Sequence, residues 1–553
     1  MTKYMRLNYL TFIIIGHLIS SIAVAQTFTS SNLPIVVINT NNVPIPDEPK
    51  ISADMGIIYN GPGNRNYLTD PFNEYNGKIA IEKRGSSSQM FPKKQYGLET
   101  RDTLGIKVNV SIFGWPSEHD WILYAPYSDK ALIRNVLAYK LGWETGHYAP
   151  RTKLCELVLN NEYMGVYVFM EKIKIDAGRV DIAKLTHIDT SGYELTGGYL
   201  LKIDKLTGGG SGWYSPFDPI PAANNQKIYI QYHDPDPDSL LPVQKSYIRD
   251  YITQYESVLS SPNYNDQTTG YPAYINIYSF IDYLIVNEVS KNVDGYRLST
   301  FFYKDKYTKD PRIYVGPLWD FNLAFGNANY CGGGNANDGW ALDFNTVCSN
   351  DGWQIPFWWD RLLQDTTFQN KLKCRWEELR EGPLYTDTLL NWIDSTTVYL
   401  DESQQRNFIR WPILSTYVWP NNFVGGSYQA EIDYMKTWIS DRLNWLDANI
   451  PGTCYPWTSS NDNDLLLSHI LIYPNPISEE SVLFFNLEHT AKLNLNVYNV
   501  FGQMVKRINV GQCIEGSNFI SLREIFTSIV AGTYIIQLEL AGKKPLVIRI
   551  VKL

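Results

Sequence analysis

The chain has 553 residues, too many for one hydrophobic core, and this length predicts two or more domains. Its 44% hydrophobic and 19% charged residues are typical of globular proteins and exclude a largely disordered chain. A formal net charge of -9 argues against nucleic-acid binding as the main function. The 16 Trp and 39 Tyr residues favour aromatic-rich cores over sugar-stacking surfaces.

The first 25 residues have the pattern of a signal peptide. Lys3 and Arg6 precede a short apolar run, and Ala23-Val24-Ala25 matches a cleavage site. No later window has about 18 uninterrupted apolar residues, so we expect no transmembrane helix after signal cleavage. The mature protein is therefore expected to be exported.

Residues 26–75 are predicted to form an N-terminal β segment, and a hairpin follows over residues 78–99. The hairpin tip holds Gly85 and the serines 86–88, including Ser86 and Ser87, between Arg84 and Lys94. Free backbone N–H groups beside cationic side chains suit phosphate oxygens. An ordinary solvated hairpin explains the same residues equally well.

Further along the chain, the pattern predicts helices over residues 129–141, 242–259 and 428–449. Glu171 ends one predicted strand, and it either orients a phosphate-binding lysine or is a surface carboxylate. Lys202, on the next strand, is a second candidate lysine. The first half of this region is mostly β and the second half mostly α, which predicts an α+β domain.

Two aspartates stand out between residues 287 and 326. Asp294 follows a helix-like run, and Asp320 follows the second strand of a predicted hairpin over residues 298–319. Such a pair suits one general base and one metal ligand. It also suits two ordinary turn residues, since Asp beside Gly is common in turns.

Export makes the six cysteines candidates for disulfides. Cys331 and Cys348 bracket a Gly/Asn-rich loop whose closure contributes roughly 3 kcal/mol in the chain-entropy model. Cys374 and Cys454 are the next candidate pair, although three connectivities of these four remain open. Cys155 and Cys513 are expected to be buried thiols.

Residues 456–469 are predicted to be a linker, and residues 470–553 hold short β runs separated by turns. Several strands in so few residues predict a small all-β, immunoglobulin-like sandwich. This last region resembles the C-terminal sorting domain of the Bacteroidetes type IX secretion system. The resemblance rests on Tyr473-Pro-Asn-Pro476, on residues 497–503 (VYNVFGQ) and on Gly532-Thr-Tyr534. It implies recognition by the type IX machinery and passage through the periplasm and outer membrane to the surface or medium.

Residues 76–455 resemble the CotH family of atypical protein kinases. The motifs that carry the resemblance are spread over the region in order: KRGSSS at 83–88, FPKKQY at 91–96, SDKALIRN at 128–135, MEK at 170–172, GYLLK at 198–202, NVDG at 292–295 and WDFN at 319–322. The resemblance implies a kinase-like domain that transfers the γ-phosphate of ATP to Ser or Thr of exported proteins, with Mg²⁺ (or Mn²⁺).

The resemblance also implies separate roles for the candidate residues. Asp294 would be the catalytic base, and Asp320 with Asn322 would hold the metal. Nucleotide binding would fall to Arg84, Ser86, Ser87, Lys94, Glu171 and Lys202, with Glu171 orienting either Lys94 or Lys202. Kinases place a second metal ligand, usually Asn, five positions after the base, where this chain has Ser299. That departure keeps a second hypothesis open, namely a non-catalytic surface adhesin or scaffold on the same fold.

Overall fold

The computed structural model describes residues 28–206, 210–222, 226–331, 336–454, 467–473, 477, 481–487, 489–499, 502–527, 529–540 and 546–552. The chain forms two compact units, residues 1–453 and 454–553. The predicted signal peptide and most of the predicted linker lie outside the described residues. The free thiols are Cys155 and Cys513, both buried as expected.

The first unit begins with a β-rich half. Its strands are β1 (Ser30–Ser31), β2 (Ile35–Asn39), β3 (Ile51–Ile58), β4 (Asn66–Tyr67), β5 (Tyr75–Arg84), β6 (Gln95–Arg101), β7 (Asp120–Tyr124), β8 (Thr152–Leu159), β9 (Glu162–Glu171), β10 (Tyr199–Ile203), β11 (Gly212–Tyr214), β12 (Tyr229–Asp234), β13 (Thr300–Lys304) and β14 (Ile313–Val315).

Its second half is mostly helical. The helices are α1 (Arg134–Glu144), α2 (Pro242–Ser260), α3 (Ile277–Ser290), α4 (Phe344–Val347), α5 (Trp358–Leu362), α6 (Thr366–Arg380), α7 (Thr386–Arg410) and α8 (Tyr428–Asn449). The predicted α+β class, with a β-rich first half and a helix-rich second half, is therefore confirmed.

Seven strands close into a barrel in the order β2-β3-β5-β6-β7-β9-β8, and the parallel pairing of β2 with β8 completes the ring. Alternate side chains point inward, because successive residues of a strand face opposite sides. All seven strands contribute to the apolar interior. Within it, the ring centroids of Trp121 and Phe169 lie 5.5 Å apart. The strands β2 and β3, from the predicted N-terminal segment, belong to this barrel.

Beside the barrel lies a five-stranded antiparallel sheet in the order β11-β12-β10-β13-β14. The predicted hairpin around residues 298–319 is its β13–β14 pair. A large apolar cluster joins residues of the barrel's outer face, this sheet and the helices. Asp294 precedes β13 and Asp320 follows β14 in the chain, so both flank the open end of this hairpin.

Over its described residues, the second unit is all β except for one short helix, α9 (Arg523–Phe526). Its strands form two antiparallel sheets: β15 (Leu467–Tyr473), β16 (Val482–Leu487) and β19 (Gly516–Ser521) in one, and β17 (Ala491–Asn499), β18 (Met504–Cys513), β20 (Gly532–Leu540) and β21 (Leu546–Lys552) in the other. Apolar residues from both sheets share one core. The predicted all-β character is confirmed, and the immunoglobulin-like topology stays a prediction.

Candidate active site

A cleft of about 450 Å³ opens in the first unit, between the β5–β6 hairpin and the two loops that carry the predicted aspartates. Six of the residues that the sequence singled out line this one cleft: Arg84, Ser86, Ser87, Asp294, Asp320 and Asn322. They come from segments more than 200 residues apart, so the fold brings them together.

The hairpin tip is shaped by Gly85. Its φ is +101°, a conformation that L side chains rarely adopt, and an added Cβ would lie 2.0 Å from Ser88 Oγ. Ser86 and Ser87 are exposed at the mouth of the cleft. The tip therefore presents small side chains and accessible backbone to the cleft, as the phosphate hypothesis requires.

Arg84 ends strand β5 and projects its guanidinium over the ring of Trp319, at 5.4 Å from the ring centroid. Burial lowers the pKa of Arg84, and the negative charge of Asp320 opposes this shift. An arginine remains charged under all relevant conditions. Arg84 therefore places a permanent positive charge beside Asp320.

Asp320 occupies a strained backbone position, with φ at +62° immediately after Trp319. Its own N–H donates to Tyr139 Oη at 3.2 Å, and the N–H of Phe321 donates to Asn135 Oδ1 at 2.6 Å. Both acceptors belong to α1. Helix α1 thus holds the backbone that aims the Asp320 side chain into the cleft.

The carboxylate of Asp320 receives no hydrogen bond from any described residue. Burial, followed by the negative charges of Asp294 and Asp204, raises the pKa of Asp320 to about 7, and the positive charge of Arg84 opposes this shift. A half-buried carboxylate without donors and near other carboxylates is stabilised by a bound cation. Asn322 also lines the cleft, and a side-chain amide oxygen is of the kind that Mg²⁺ prefers.

Asp294 lies in the turn after α3, with its side chain 18% exposed. Arg297 Nη2 donates to Asp294 Oδ1 at 2.9 Å. Ser299, in the position of the usual second metal ligand, also lines the cleft and has a φ of +50°. The cleft thus holds two partly exposed carboxylates, Asp294 paired with Arg297 and Asp320 without a hydrogen-bond donor among the described residues.

Three predicted nucleotide-binding residues do not line the cleft. Lys94 Nζ donates to the backbone oxygen of Gln89 at 2.6 Å, within its own hairpin. Lys202 pairs with Asp204 at 3.0 Å. Glu171 is fully buried, and Arg151 Nη1 donates to it at 2.9 Å. Glu171 thus contacts an arginine, not either candidate lysine.

Sequence reasoning did not find several residues that line the cleft. Asp204 and Lys205 follow strand β10, and the field of Asp204 reaches Asp320. The sequence feature that marks Asp204 and Lys205 is a strand that ends on charged residues, and such strand ends are common on protein surfaces. Lys83 and Asn135 lie within the KRGSSS and SDKALIRN motifs without a predicted role of their own, and both line the cleft. Tyr139 lies in a helix whose pattern predicts only packing.

Two disulfides are present in the protein. Cys331 bonds to Cys348, which confirms that predicted pair, with the Cα atoms 5.5 Å apart. Cys374 and Cys454 are disulfide-bonded as well. Cys331 directly follows Tyr330, which lines the cleft, so the first disulfide closes a loop beside the candidate site.

Comparison with known families agrees with this architecture. Residues 81–446 match the family described as CotH kinase protein, and residues 471–552 match the secretion system C-terminal sorting domain. The first match covers more than half of the chain, and this protein belongs to the CotH kinase family. The sorting domain directs secretion to the cell surface or outside the cell and implies interaction with the secretion machinery. No curated protein matches the chain.

The helices that the structure describes include none long and apolar enough to cross a membrane.

Proposed function

We propose that this protein is a secreted protein kinase with a kinase-like catalytic domain, which transfers the γ-phosphate of ATP to Ser or Thr hydroxyls of exported proteins. The observation that supports it best is the pair formed by Asp294 and Asp320 in one cleft with Arg84 and the Gly85–Ser88 tip. Phosphoryl transfer depends on positioning and charge neutralisation rather than on covalent chemistry by the protein. This cleft offers both.

The two carboxylates suit different roles because their surroundings differ. Asp294 is partly solvated, and as the base it would accept the proton of the acceptor hydroxyl while that oxygen attacks the γ-phosphorus. The bond from the γ-phosphorus to the bridging oxygen then breaks, and ADP leaves. Arg84 and the backbone of the hairpin tip would bind the phosphate oxygens.

Asp320 and Asn322 fit a divalent cation, since both line the cleft and no described residue donates to the Asp320 carboxylate. Mg²⁺ or Mn²⁺, when bound, supplies charge neutralisation to the phosphates of ATP. The two candidate lysines, Lys94 and Lys202, do not line the cleft, whereas Lys83 and Lys205 do and are better placed for ATP. We place the acceptors among proteins that follow the same route through the periplasm and outer membrane.

The test is transfer of label from γ-labelled ATP by purified mature protein with Mg²⁺ or Mn²⁺ and casein-like acceptors. We expect label on acceptor Ser or Thr, and none with Asp320→Ala. Absence of both transfer and autophosphorylation with either metal contradicts the proposal.

Ser299 favours a second function, a non-catalytic surface adhesin or scaffold. A hydroxyl is a weaker ligand than an amide or carboxylate oxygen for a hard cation. Thermal unfolding with and without Mg·ATP separates the two functions, because a ligand that binds only the folded state stabilises it. Stabilisation by Mg·ATP that is lost in Asp320→Ala contradicts a purely adhesive role.

A further inference from the structure

Arg297, the arginine beside the candidate base Asp294, makes hydrogen bonds to several different groups. Arg297 is 2% exposed, and its Nη2 donates to Asp294 Oδ1 at 2.9 Å. Its Nη1 donates to Asp351 Oδ1 at 3.1 Å, and its Nε donates to the backbone oxygen of Val293 at 2.9 Å. The guanidinium therefore bridges the carboxylate of Asp294, which lines the cleft, and that of Asp351, which does not.

The segment around the first disulfide forms a clamp on this guanidinium. The ring of Phe344 lies 3.8 Å from the Arg297 Cζ, and the ring of Tyr330 lies 5.8 Å from it. Tyr330 Oη donates to Asp351 Oδ2 at 2.7 Å, which joins the two sides of the clamp. We call the three residues Tyr330, Phe344 and Asp351 the Arg297 clamp.

The Cys331–Cys348 disulfide holds both sides of the clamp. Tyr330 directly precedes Cys331. On the other side, the N–H of Asp351 donates to the backbone oxygen of Cys348 at 2.9 Å. Phe344 lies between the two cysteines in the chain. The covalent bond thus fixes the separation of Tyr330 and Asp351, the two residues whose hydrogen bond closes the clamp.

We propose that Arg297 is a positioning residue for Asp294 and that the Cys331–Cys348 disulfide maintains its clamp, so that full phosphoryl transfer requires the oxidised protein. This inference rests on the proposed kinase function. The chemistry that it adds is dependence on the redox state. A dithiol reduces the Cys331–Cys348 disulfide to two thiols by thiol–disulfide exchange, gives up its two electrons and two protons, and is itself oxidised to a disulfide. The reduced protein then lacks the covalent bond that holds the clamp. Export to an oxidising compartment then completes the site.

The planar guanidinium of an arginine can hold two carboxylates in place, whereas the ammonium of a lysine is poorly suited to do so. Arginine donates several N–H groups in a fixed plane, so one side chain bonds both carboxylates at once, whereas an ammonium is a point charge. Displacement of a catalytic group by about 1 Å costs on the order of 100-fold in rate. The positioning of Asp294 by Arg297 therefore contributes far more to the rate of transfer than the exposed ion pairs elsewhere on the surface do.

The experiment measures kcat and KM for ATP, together with the Mg·ATP thermal shift, in the full mature chain. For Arg297→Ala we expect kcat to fall on the order of 100-fold, with KM for ATP nearly unchanged and the thermal shift retained. Added guanidinium should restore part of the kcat, which a merely structural role does not predict. Arg297→Lys should lose most of the kcat, and Asp351→Asn should lose less.

The disulfide is tested with the double variant Cys331→Ser/Cys348→Ser, whose kcat should fall toward that of Asp351→Asn while Mg·ATP still shifts its melting temperature. Arg312→Ala is the matched control, because Arg312 forms a partly exposed pair with Asp310 at 2.6 Å and does not line the cleft. Its kcat should equal that of the wild type.

The outcomes separate this inference from the function on which it rests. A wild-type protein without any transfer overturns both. An active wild type with an unchanged kcat in Arg297→Ala overturns the positioning role alone. Loss of the Mg·ATP thermal shift in Arg297→Ala, without rescue by guanidinium, assigns Arg297 to folding and also overturns it. An unchanged kcat in the double cysteine variant overturns the role of the disulfide.

Discussion

The carboxylates of Asp320 and Asp294 face one cleft, where burial, and then the charge of Asp294, raise the pKa of Asp320 to about 7. A protein gains nothing in stability from two such groups without a counterion. Arg84 supplies one positive charge on the same cleft, and a divalent cation supplies the rest. The unfavourable electrostatics among the side chains of this cleft are therefore the reason to expect metal and phosphate in it.

Replacing Asp320 should remove metal-dependent nucleotide binding. At a Mg·ATP concentration 100 times the Kd, the wild type should gain about 2.7 kcal/mol of stability. Asp320→Ala should lose most of this gain, measured as the shift in melting temperature. Asp394→Ala is the control, since Asp394 forms an exposed pair with Lys436 at 2.6 Å. An equal shift in Asp320→Ala and wild type contradicts the metal role.

Replacing Asp294 should separate binding from chemistry. Asp294→Asn keeps the shape of the side chain but removes the base, so phosphoryl transfer should fall roughly 100- to 10,000-fold. The Mg·ATP thermal shift should remain, because the proposed metal ligands are intact. Transfer at more than a tenth of the wild-type rate assigns the base to another residue.

The hairpin tip should depend on Gly85. An alanine there meets both a φ of +101° and Ser88 Oγ, so the tip must rearrange at a cost of roughly 1–3 kcal/mol. We expect Gly85→Ala to weaken ATP binding, measured by titration of the thermal shift. Gly105→Ala is the control, since Gly105 has a φ of +82° with open space around it and does not line the cleft. Equal ATP affinity in both variants contradicts phosphate binding at the tip.

The stability of the first unit should depend on pH through Glu256, a buried residue of α2. Glu256 Oε1 accepts hydrogen bonds from Ser215 Oγ and Trp358 Nε1, at 2.9 and 3.0 Å, while Oε2 has no partner among the described residues. Burial raises its pKa to about 7. The folded state therefore holds a proton that the unfolded chain releases near pH 4.5, and the free energy of unfolding falls as pH rises from about 4.5 to 7.

Glu256→Gln keeps the acceptor oxygen and removes this titration. We expect the variant to unfold at a higher temperature than the wild type at pH 8 and at the same temperature at pH 4.5, measured by calorimetry. A wild type that is the more stable of the two at pH 8 contradicts a protonated Glu256.

Much of the fold was accessible from local patterns. Helices α2 and α8 begin and end within a residue of their predicted bounds, because apolar residues recur at helical spacing and tertiary contacts agree with them. Helix α1 begins at Arg134, so the predicted start at Asp129 was wrong. The Asp129 carboxylate instead accepts the N–H groups of Ala131 and Arg134, which holds residues 129–133 in a turn ahead of the helix.

The candidate site was accessible only in part. Asp294 and Asp320 were found because turn position and family resemblance agree on them. Arg297 and Asp204 were missed, because their role depends on contacts between segments that lie far apart in the chain. Lys94 shows the reverse case: its charge beside the hairpin suggested phosphate binding, but its ammonium bonds its own backbone at Gln89.

The kinase function is tested most directly by the rate of phosphate transfer from ATP to an acceptor protein by the wild type and by Asp294→Asn, both saturated with Mg·ATP. We predict acceptor phosphorylation by the wild type and at least about a 100-fold lower rate in the variant, with Mg·ATP stabilising both proteins. Equal transfer rates, or stabilisation of the wild type without any transfer under either metal, would contradict this prediction.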